Sequence, residues 1–115
     1  MAISVNDKVC IITGSASGIG YAMAKRFVQD GAKIVVADLN LAAAEKAAQD
    51  LTAIGPGKAI AVAMDVTDEQ AVNDGVQKVI DTWGRVDVLI SNAGIQIVHR
   101  LEGFPYAEWK KMLAI

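Results

Sequence analysis

The chain has 115 residues, of which 53% are hydrophobic and 21% are charged, and its formal net charge is −2. This length and composition are typical of one globular domain and exclude a disordered or fibrous chain. Because the lysines and arginines are scattered along the sequence, we expect neither a nucleic acid nor a membrane surface as a partner.

The N-terminal segment MAISVNDKVCIITG has no basic leader, and its apolar part is too short for a secretory signal or a membrane span. We therefore expect a cytoplasmic protein. Cys10, the only cysteine, lies within this apolar part, which excludes an internal disulfide and a cysteine-rich metal site. We predict a buried thiol and no metal ligands.

Four short apolar runs predict four strands. They lack polar alternation, which is typical of strands buried on both faces of a parallel sheet. The runs are VCIIT from Val9, IVVAD from Ile34, AIAVAM from Ala59 and VDVLIS from Val86. Each gap between them is long enough for a helix that crosses over to the next parallel strand.

The segments between these runs predict three helices. In the first, Ile19, Met23 and Phe27 recur at the spacing of one buried helix face, and Gly31 is expected to end the helix. The second, LAAAEKAAQDLTAI, is rich in alanine, the strongest helix former, and stops at GPG.

The third helix has the clearest apolar face, formed by Val72, Val76, Val79, Ile80 and Trp83. Thr67 and Gln70 match a capping box at its start, and Gly75 predicts a close approach to the sheet. The order β-α-β-α-β-α-β predicts an α/β fold with a doubly wound (Rossmann) parallel sheet, in a single and incomplete domain.

The stretch TGSASGIG, residues 13–20, directly follows the first apolar run. In such a fold, the unpaired N–H groups of the first helix face bound anions at this turn. Gly14 permits the sharp turn, Gly18 lets a diphosphate approach the backbone, and Gly20 lets the helix pack closely on the strand. The pattern predicts a cofactor that carries phosphate.

Asp38 ends the second predicted strand. An acid at this place accepts hydrogen bonds from both hydroxyls of an adenosine ribose. A 2′-phosphate at about 4 Å would be repelled by roughly 4 kcal/mol per charge pair at an effective dielectric of about 20. We therefore predict NAD as the cofactor, in preference to NADP. The alternative for Asp38 is a helix N-cap or an exposed loop acid.

TGSASGIG, Asp38, the DV pair at 65–66 and SNAG at 91–94 together resemble the short-chain dehydrogenase/reductase family, and the resemblance covers nearly the whole chain. Ser91 stands where that family often has asparagine. The resemblance implies that Asp65 hydrogen-bonds the adenine amino group, that Val66 packs on the adenine ring, and that SNAG flanks the cofactor ribose. The implied cofactor-binding residues are Gly14, Ser15, Ser17, Gly18, Ile19, Gly20, Asp38, Leu39, Asp65, Val66, Asn92, Ala93 and Gly94.

The C-terminal stretch SNAGIQIVHRLEGFPYAEWKKMLAI is similar to bacterial 3-hydroxybutyrate dehydrogenases. That similarity implies a small-molecule substrate, a short hydroxy acid, and assigns Gln96 to its carboxylate, since an amide donates a hydrogen bond without adding charge. The alternative for Gln96 is an ordinary polar loop residue. The family resemblance also implies a homo-oligomer, a tetramer.

The family's reaction uses a Ser, a Tyr and a Lys four residues after the Tyr. Tyr21 with Lys25 and Tyr106 with Lys110 have this spacing, but the first pair follows the glycine loop, and the second precedes any fifth strand. We therefore predict no catalytic residue in the chain, and no role for His99. Residues 1–115 are expected to be the N-terminal, NAD-binding part of a longer enzyme.

Two other functions stay open at this point. One is a short-chain dehydrogenase for a different alcohol or ketone, such as a sugar, a steroid or an acyl thioester. The other is a nucleotide-binding module that senses NAD without chemistry.

Overall fold

The structure, a computed structural model, describes residues 4–95 and 100–115. Strands and helices alternate along the first part of the chain, and a short 3-10 turn and a last helix follow. The elements are β1 (Val9–Thr13), α1 (Gly18–Gln29), β2 (Lys33–Asp38), α2 (Leu41–Ile54), β3 (Lys58–Ala63), α3 (Glu69–Trp83), β4 (Val88–Ile90), the 3-10 turn (Leu101–Gly103) and α4 (Tyr106–Ala114).

The four strands form one parallel sheet in the order β3-β2-β1-β4. The chain therefore moves outward from β1 to β3, then returns to the other side of β1 for β4. This reversal is the feature that defines a doubly wound sheet, and it places a crevice at the carboxyl ends of β1 and β4. The predicted fold class is confirmed.

Two apolar clusters cover the two faces of the sheet. On one face, Ala24 and Val28 of α1 and Leu51 of α2 pack against Ile12 and Ile34. The other face is covered by α3, whose Val79 packs with buried residues of β1, β2 and β3. Both faces of β1 and β2 are thus buried, as runs without polar alternation require.

Cys10 is fully buried in the first cluster, as predicted. Burial, together with the nearby Asp87 carboxylate, raises the pKa of its thiol. Within the described ranges, no three His, Cys, Asp or Glu side chains are grouped to hold a metal ion. In the same ranges, none of the helices combines the length and apolar character that crossing a membrane requires.

The predicted buried face of α1 is wrong at its first member. Ile19 is 75% exposed, whereas Gly20, Ala24 and Val28 are buried. Met23 and Phe27 are partly buried beside them. The face is turned because the first turn of the helix lies against the loops after β1 and β4, where a Cβ at Gly20 would lie 2.7 Å from the Gly14 carbonyl oxygen and from Asn92 Nδ2.

The predicted start of α3 is also wrong. The N-cap is Asp68, whose carboxylate accepts the N–H groups of Gln70 and Ala71, so no capping box forms from Thr67. Gly75 does allow a close approach, because a Cβ there would lie 2.5 Å from Met64 Cε. Ile80 departs from the predicted apolar face and is 39% exposed.

β4 begins at Val88, two residues later than the apolar run predicts. The backbone N–H of Asp87 donates to the Val9 carbonyl at 2.9 Å, and Asp87 Oδ2 accepts the Val9 N–H at 2.9 Å and the Arg85 Nε–H at 2.8 Å. The two hydrogen bonds to Oδ2 lower the pKa of the Asp87 carboxyl, the Val9 N–H contributing most and Arg85 next. Asp87 thus fastens the start of β4 to β1.

Candidate functional site

A cleft of about 270 Å³ lies at the carboxyl edge of the sheet. The segments that follow all four strands form its wall, so it occupies the crevice that the strand order creates. Nine residues predicted to bind the cofactor line it: Gly14, Ser17, Asp38, Leu39, Asp65, Val66, Asn92, Ala93 and Gly94. Three lining residues that the sequence did not indicate are Met64, Ile95 and Ile115.

The three glycines of the loop after β1 differ in what surrounds them. Gly14 has a φ of +67°, and a Cβ there would lie 3.0 Å from Ala93 Cα. At Gly20 a Cβ would lie 2.7 Å from both the Gly14 carbonyl oxygen and Asn92 Nδ2. Gly18 has a φ of +63° and no heavy atom within 4 Å of a Cβ position. The space beside Gly18 is open, which suits a group that approaches the backbone.

Hydrogen bonds join the loop after β1 to the loop after β4. Thr13 Oγ1 accepts the N–H groups of Asn92 and Ala93, both at 3.0 Å. In return, Asn92 Nδ2 donates to the carbonyls of Thr13 at 3.1 Å and Gly14 at 3.4 Å. The sequence did not indicate Thr13. The feature that could have indicated Thr13 is its hydroxyl at the last residue of a buried strand, because a backbone N–H in a neighbouring loop needs an acceptor there.

Helix α1 begins in this loop, with Ser17 as its N-cap. The Ser17 side chain makes no capping hydrogen bond, and the first turn holds no acidic residue. The first N–H groups of an α-helix have no acceptor within the helix, and they carry a partial positive charge. This end of α1 therefore suits an anion such as a phosphate.

Four predicted cofactor residues do not form part of the cleft wall: Ser15, Gly18, Ile19 and Gly20. The Ser15 side chain is fully buried, and its Oγ donates to the Ile12 carbonyl at 2.7 Å. Its hydroxyl faces the protein interior, so Ser15 has only its backbone to offer a ligand.

Asp38 connects the second strand to the glycine loop. Its Oδ2 accepts the Ala16 N–H at 3.1 Å, and its Oδ1 accepts the Asn40 N–H at 3.4 Å. The helix N-cap of α2 is Asn40, whose Oδ1 accepts the Ala43 N–H, so the N-cap alternative for Asp38 is wrong. Each carboxylate oxygen has two lone pairs, which leaves Asp38 free to accept further hydrogen bonds from the cleft side.

Asp65 follows β3 and lines the same cleft as Gly14 and Ser17. Its Oδ1 accepts the Thr67 N–H at 2.9 Å and the Thr67 Oγ1–H at 2.6 Å. These bonds, the hydroxyl contributing most, lower the pKa of the Asp65 carboxyl. Asp65 is therefore an ionised acceptor at neutral pH.

The two Tyr-x-x-x-Lys pairs lie outside the cleft wall. Tyr106 is 73% exposed on α4, and Lys110 Nζ lies 5.6 Å from the centre of its ring. That ammonium group contacts the ring face, as in a cation–π pair. Tyr21 is partly buried against the first apolar cluster. Gln96, the predicted substrate residue, lies outside the described residues, as does His99.

The arrangement fits a dinucleotide. A helix N-terminus with open space beside Gly18 suits a diphosphate, the Asp38 carboxylate suits a pair of sugar hydroxyls, and the Asp65 carboxylate suits a base that carries an N–H donor. Ser17 at the start of α1, Asp38 and Asp65 all line the same cleft.

Comparisons with known proteins agree with this geometry. Residues 8–115 match a family model described as short chain dehydrogenase. Sorbitol dehydrogenase of Cereibacter sphaeroides is 43% identical over 91 residues, which are 79% of this chain and 34% of that protein.

Two solved structures share the fold. The crystal structure of NAD+-bound xylitol dehydrogenase has a TM-score of 0.90 and 34% sequence identity over 96% of this chain and 43% of that chain. The 3-ketoacyl-(acyl-carrier-protein) reductase from Brucella melitensis, complexed with NADH, has a TM-score of 0.88 and 37% identity over 96% of this chain and 45% of that chain. The chain spans less than half the length of each of these relatives.

Proposed function

The chain belongs to the short-chain dehydrogenase family, and from this premise we propose that residues 1–115 are the NAD-binding part of an NAD-dependent oxidoreductase. The observation that carries the proposal is the Asp38 carboxylate, which is hydrogen-bonded to the glycine loop at the mouth of the cleft. The two solved relatives that hold NAD+ and NADH support it.

In this proposal each part of the cleft binds one part of the cofactor. The N-terminus of α1, with Gly14, Ser17, Gly18 and Ile19, holds the diphosphate. The adenosine ribose contacts Asp38 and Leu39, and the adenine contacts Asp65 and Val66. The second ribose contacts Asn92, Ala93 and Gly94. When bound, NAD+ would accept a hydride from an alcohol that also loses its hydroxyl proton, and in the reverse direction NADH would give the hydride to a ketone that takes up a proton. The described residues bind and orient it.

The choice of NAD over NADP follows from charge. Asp38 already bonds the loop through Oδ2, so in this proposal its carboxylate stays beside the adenosine ribose, where NADP carries its 2′-phosphate. Repulsion of roughly 4 kcal/mol per charge pair at about 4 Å strongly disfavours NADP.

Calorimetric titration of the folded 115-residue chain with NAD and with NADP tests this proposal. We expect weak but measurable NAD binding, and NADP binding weaker by at least about tenfold. A folded chain that binds neither cofactor, or that binds both equally, contradicts it.

For the substrate we propose the pair 3-hydroxybutyrate and acetoacetate, on the resemblance of the stretch after SNAG and on Gln96 as the carboxylate ligand. A polyol is the second candidate, because relatives are named sorbitol dehydrogenase and xylitol dehydrogenase. The family resemblance supports a homotetramer, and we propose a cytoplasmic location. A panel of 3-hydroxybutyrate, sorbitol, xylitol and acyl thioesters, assayed with a form that contains the family's Ser and Tyr-x-x-x-Lys residues, separates the candidates by kcat/KM.

We also expect the 115-residue chain alone to reduce no NAD when it is mixed with 3-hydroxybutyrate. Turnover by this chain would show that one of its own Tyr-x-x-x-Lys pairs is catalytic. If a form that contains the family's catalytic residues binds NAD but turns over no substrate, the non-catalytic NAD-binding module becomes the better proposal.

A further inference from the structure

The turn between β3 and α3 holds the Asp65 side chain in one orientation. Thr67 donates two hydrogen bonds to the same oxygen, Asp65 Oδ1, from its N–H at 2.9 Å and from its hydroxyl at 2.6 Å. The Asp65 carbonyl also accepts the Asp68 N–H at 3.0 Å, and the Asp68 side chain caps α3. Both the backbone and the side chain of Asp65 are thus fixed by the start of the helix.

These contacts leave the two carboxylate oxygens unequal. Oδ1 accepts two hydrogen bonds, whereas no donor among residues 4–95 and 100–115 is bonded to Oδ2. An ionised carboxylate accepts at both oxygens, so Oδ2 is the oxygen that remains for a ligand. The plane of the group cannot rotate without breaking the short hydroxyl bond.

Thr67 itself does not form part of the wall of the 270 Å³ cleft, but Asp65 does. Thr67 lines an adjoining hollow beside α4, which shares Leu39, Asp65 and Ile115 with the cleft. Among the described residues the Thr67 hydroxyl donates its hydrogen bond to Asp65, so Asp65 is the route by which that hydroxyl would affect a ligand in the cleft.

We propose that Thr67 is a positioning residue that sets the preference for a base with an exocyclic amino group, by holding Asp65 Oδ1 and presenting Oδ2 to that amino group. The inference rests on the proposed function, in which Asp65 faces the adenine. It adds that selectivity for the base depends on a hydroxyl that does not touch the cofactor. The lowered pKa of the Asp65 carboxyl agrees, because the hydrogen bonds from Thr67 are what lowers it.

The test compares NAD with nicotinamide hypoxanthine dinucleotide, which has a carbonyl oxygen in place of the adenine amino group. For the wild-type chain we expect NAD to bind about tenfold more tightly, as for the loss of one hydrogen bond to a charged group. Thr67→Val should weaken NAD binding about three- to tenfold, and should leave binding of the hypoxanthine analogue unchanged. Thr67→Ser keeps a hydroxyl and should therefore keep the preference for NAD over the hypoxanthine analogue.

Two further variants separate positioning from a general structural effect. Thr82→Val removes another threonine hydroxyl, which bonds the Lys78 carbonyl within α3, and should change neither affinity. In an Asp65→Asn background, Thr67→Val should cause no additional loss of NAD binding. If Thr67→Val weakens both ligands equally, or adds its full loss to Asp65→Asn, the positioning role is wrong.

A measurement without ligand keeps the inference testable even if binding is weak. The Asp65 carboxyl pKa, followed by NMR, should rise toward its ordinary value in Thr67→Val and stay low in Thr67→Ser. An unchanged pKa in Thr67→Val overturns the inference. Failure of the proposed function looks different, because a wild-type chain that binds neither dinucleotide refutes both proposals at once.

Discussion

At the scale of single residues, Gly20 shows how closely the cofactor loop is built. A Cβ at Gly20 would lie 2.7 Å from the Gly14 carbonyl oxygen and 2.9 Å from Ser15 Cα, which are both backbone atoms. Neither atom can move without opening the turn that Asn92 holds from the other side. The loop after β1, the first turn of α1 and the loop after β4 therefore form one tightly packed unit.

We predict that Gly20→Ala lowers the free energy of unfolding by about 1–3 kcal/mol, because overpacking forces the backbone apart. Urea unfolding measures it. Gly103→Ala is the matched control, since no atom of the described residues lies within 4 Å of a Cβ there, and it should leave stability within about 0.5 kcal/mol. Equal stability of the two variants would contradict the close packing at Gly20.

Asp38 is expected to have two functions: its charge repels a 2′-phosphate, and its oxygen holds the glycine loop at the Ala16 N–H. One pair of substitutions separates them. Asp38→Asn removes the negative charge but keeps an oxygen for the Ala16 N–H, whereas Asp38→Ala removes both. We predict that both variants bind NADP at least about tenfold more tightly relative to NAD than the wild type does, because the charge repulsion is gone. Calorimetric titration with both cofactors measures the ratio.

Only Asp38→Ala should make the glycine loop more mobile, because only this variant removes the acceptor of the Ala16 N–H. Hydrogen exchange at the Ala16 amide, followed by NMR, should be faster in Asp38→Ala than in the wild type, and close to wild type in Asp38→Asn. Equal Ala16 exchange in all three proteins would show that the 3.1 Å bond does not hold the loop.

At the scale of elements, the order of strands and helices could be predicted because apolar runs without alternation and helical spacing are local signals. The glycine loop could be placed for the same reason, since it lies between a strand and a helix. The sequence pattern could not predict which residue of another strand or loop each side chain contacts. The buried side of α1 depends on Asn92 and Gly14, and the role of Thr13 depends on the loop after β4.

The wrong prediction of the N-cap of α3 has the same origin. Thr67 matched a cap by spacing, but its hydroxyl is bonded to Asp65, and Asp68 takes the cap position. Within one turn, three polar side chains compete for the same few donors, and spacing alone does not decide between them.

The junction of β1 and β4 is expected to depend on pH. The folded-state pKa of Asp87 is lowered, by the Val9 N–H first and by Arg85 next. A carboxyl with a lowered pKa contributes stability above its unfolded-state pKa of about 3.9, and that contribution is lost as the pH falls through the folded-state value.

We predict that Asp87→Asn makes the protein less stable at neutral pH and makes the difference from wild type shrink as the pH falls below about 4. Urea unfolding at a series of pH values measures this. Asp81→Asn is the control, because among residues 4–95 and 100–115 the Asp81 carboxylate accepts a hydrogen bond only from Gln77, on the exposed face of α3. A difference between Asp87→Asn and wild type that stays constant with pH would contradict the role of the carboxylate.

At the scale of the whole molecule, the two edges of the sheet differ in whether side chains bond their outward-facing backbone groups. At β3, the edge groups of the backbone are bonded by side chains, because Thr52 Oγ1 accepts the Ala59 N–H and donates to the Ala59 carbonyl, and Lys78 Nζ donates to the Ala61 carbonyl. Such contacts protect an edge against pairing with another chain.

The β4 edge has no comparable protection among the described residues. It is a strand of three residues, and Leu89 at its centre is 65% exposed. An apolar, unpaired edge is a template for another strand. Among the described residues, side chains therefore bond the β3 edge but not the β4 edge, and the β4 edge lies beside the cleft, because β4 leads into Asn92 and Ala93.

We predict that the 115-residue chain self-associates through β4 as its concentration rises, and that Leu89→Lys keeps it monomeric, because a charged side chain on an edge strand blocks pairing. Sedimentation velocity over a range of concentrations measures this. Leu101→Lys is the control, since Leu101 is 80% exposed but lies in the 3-10 turn and not in a strand. Because Leu89 does not form part of the cleft wall, the monomeric Leu89→Lys chain should still bind NAD with unchanged affinity. Equal association of wild type and Leu89→Lys would place the contact on another surface.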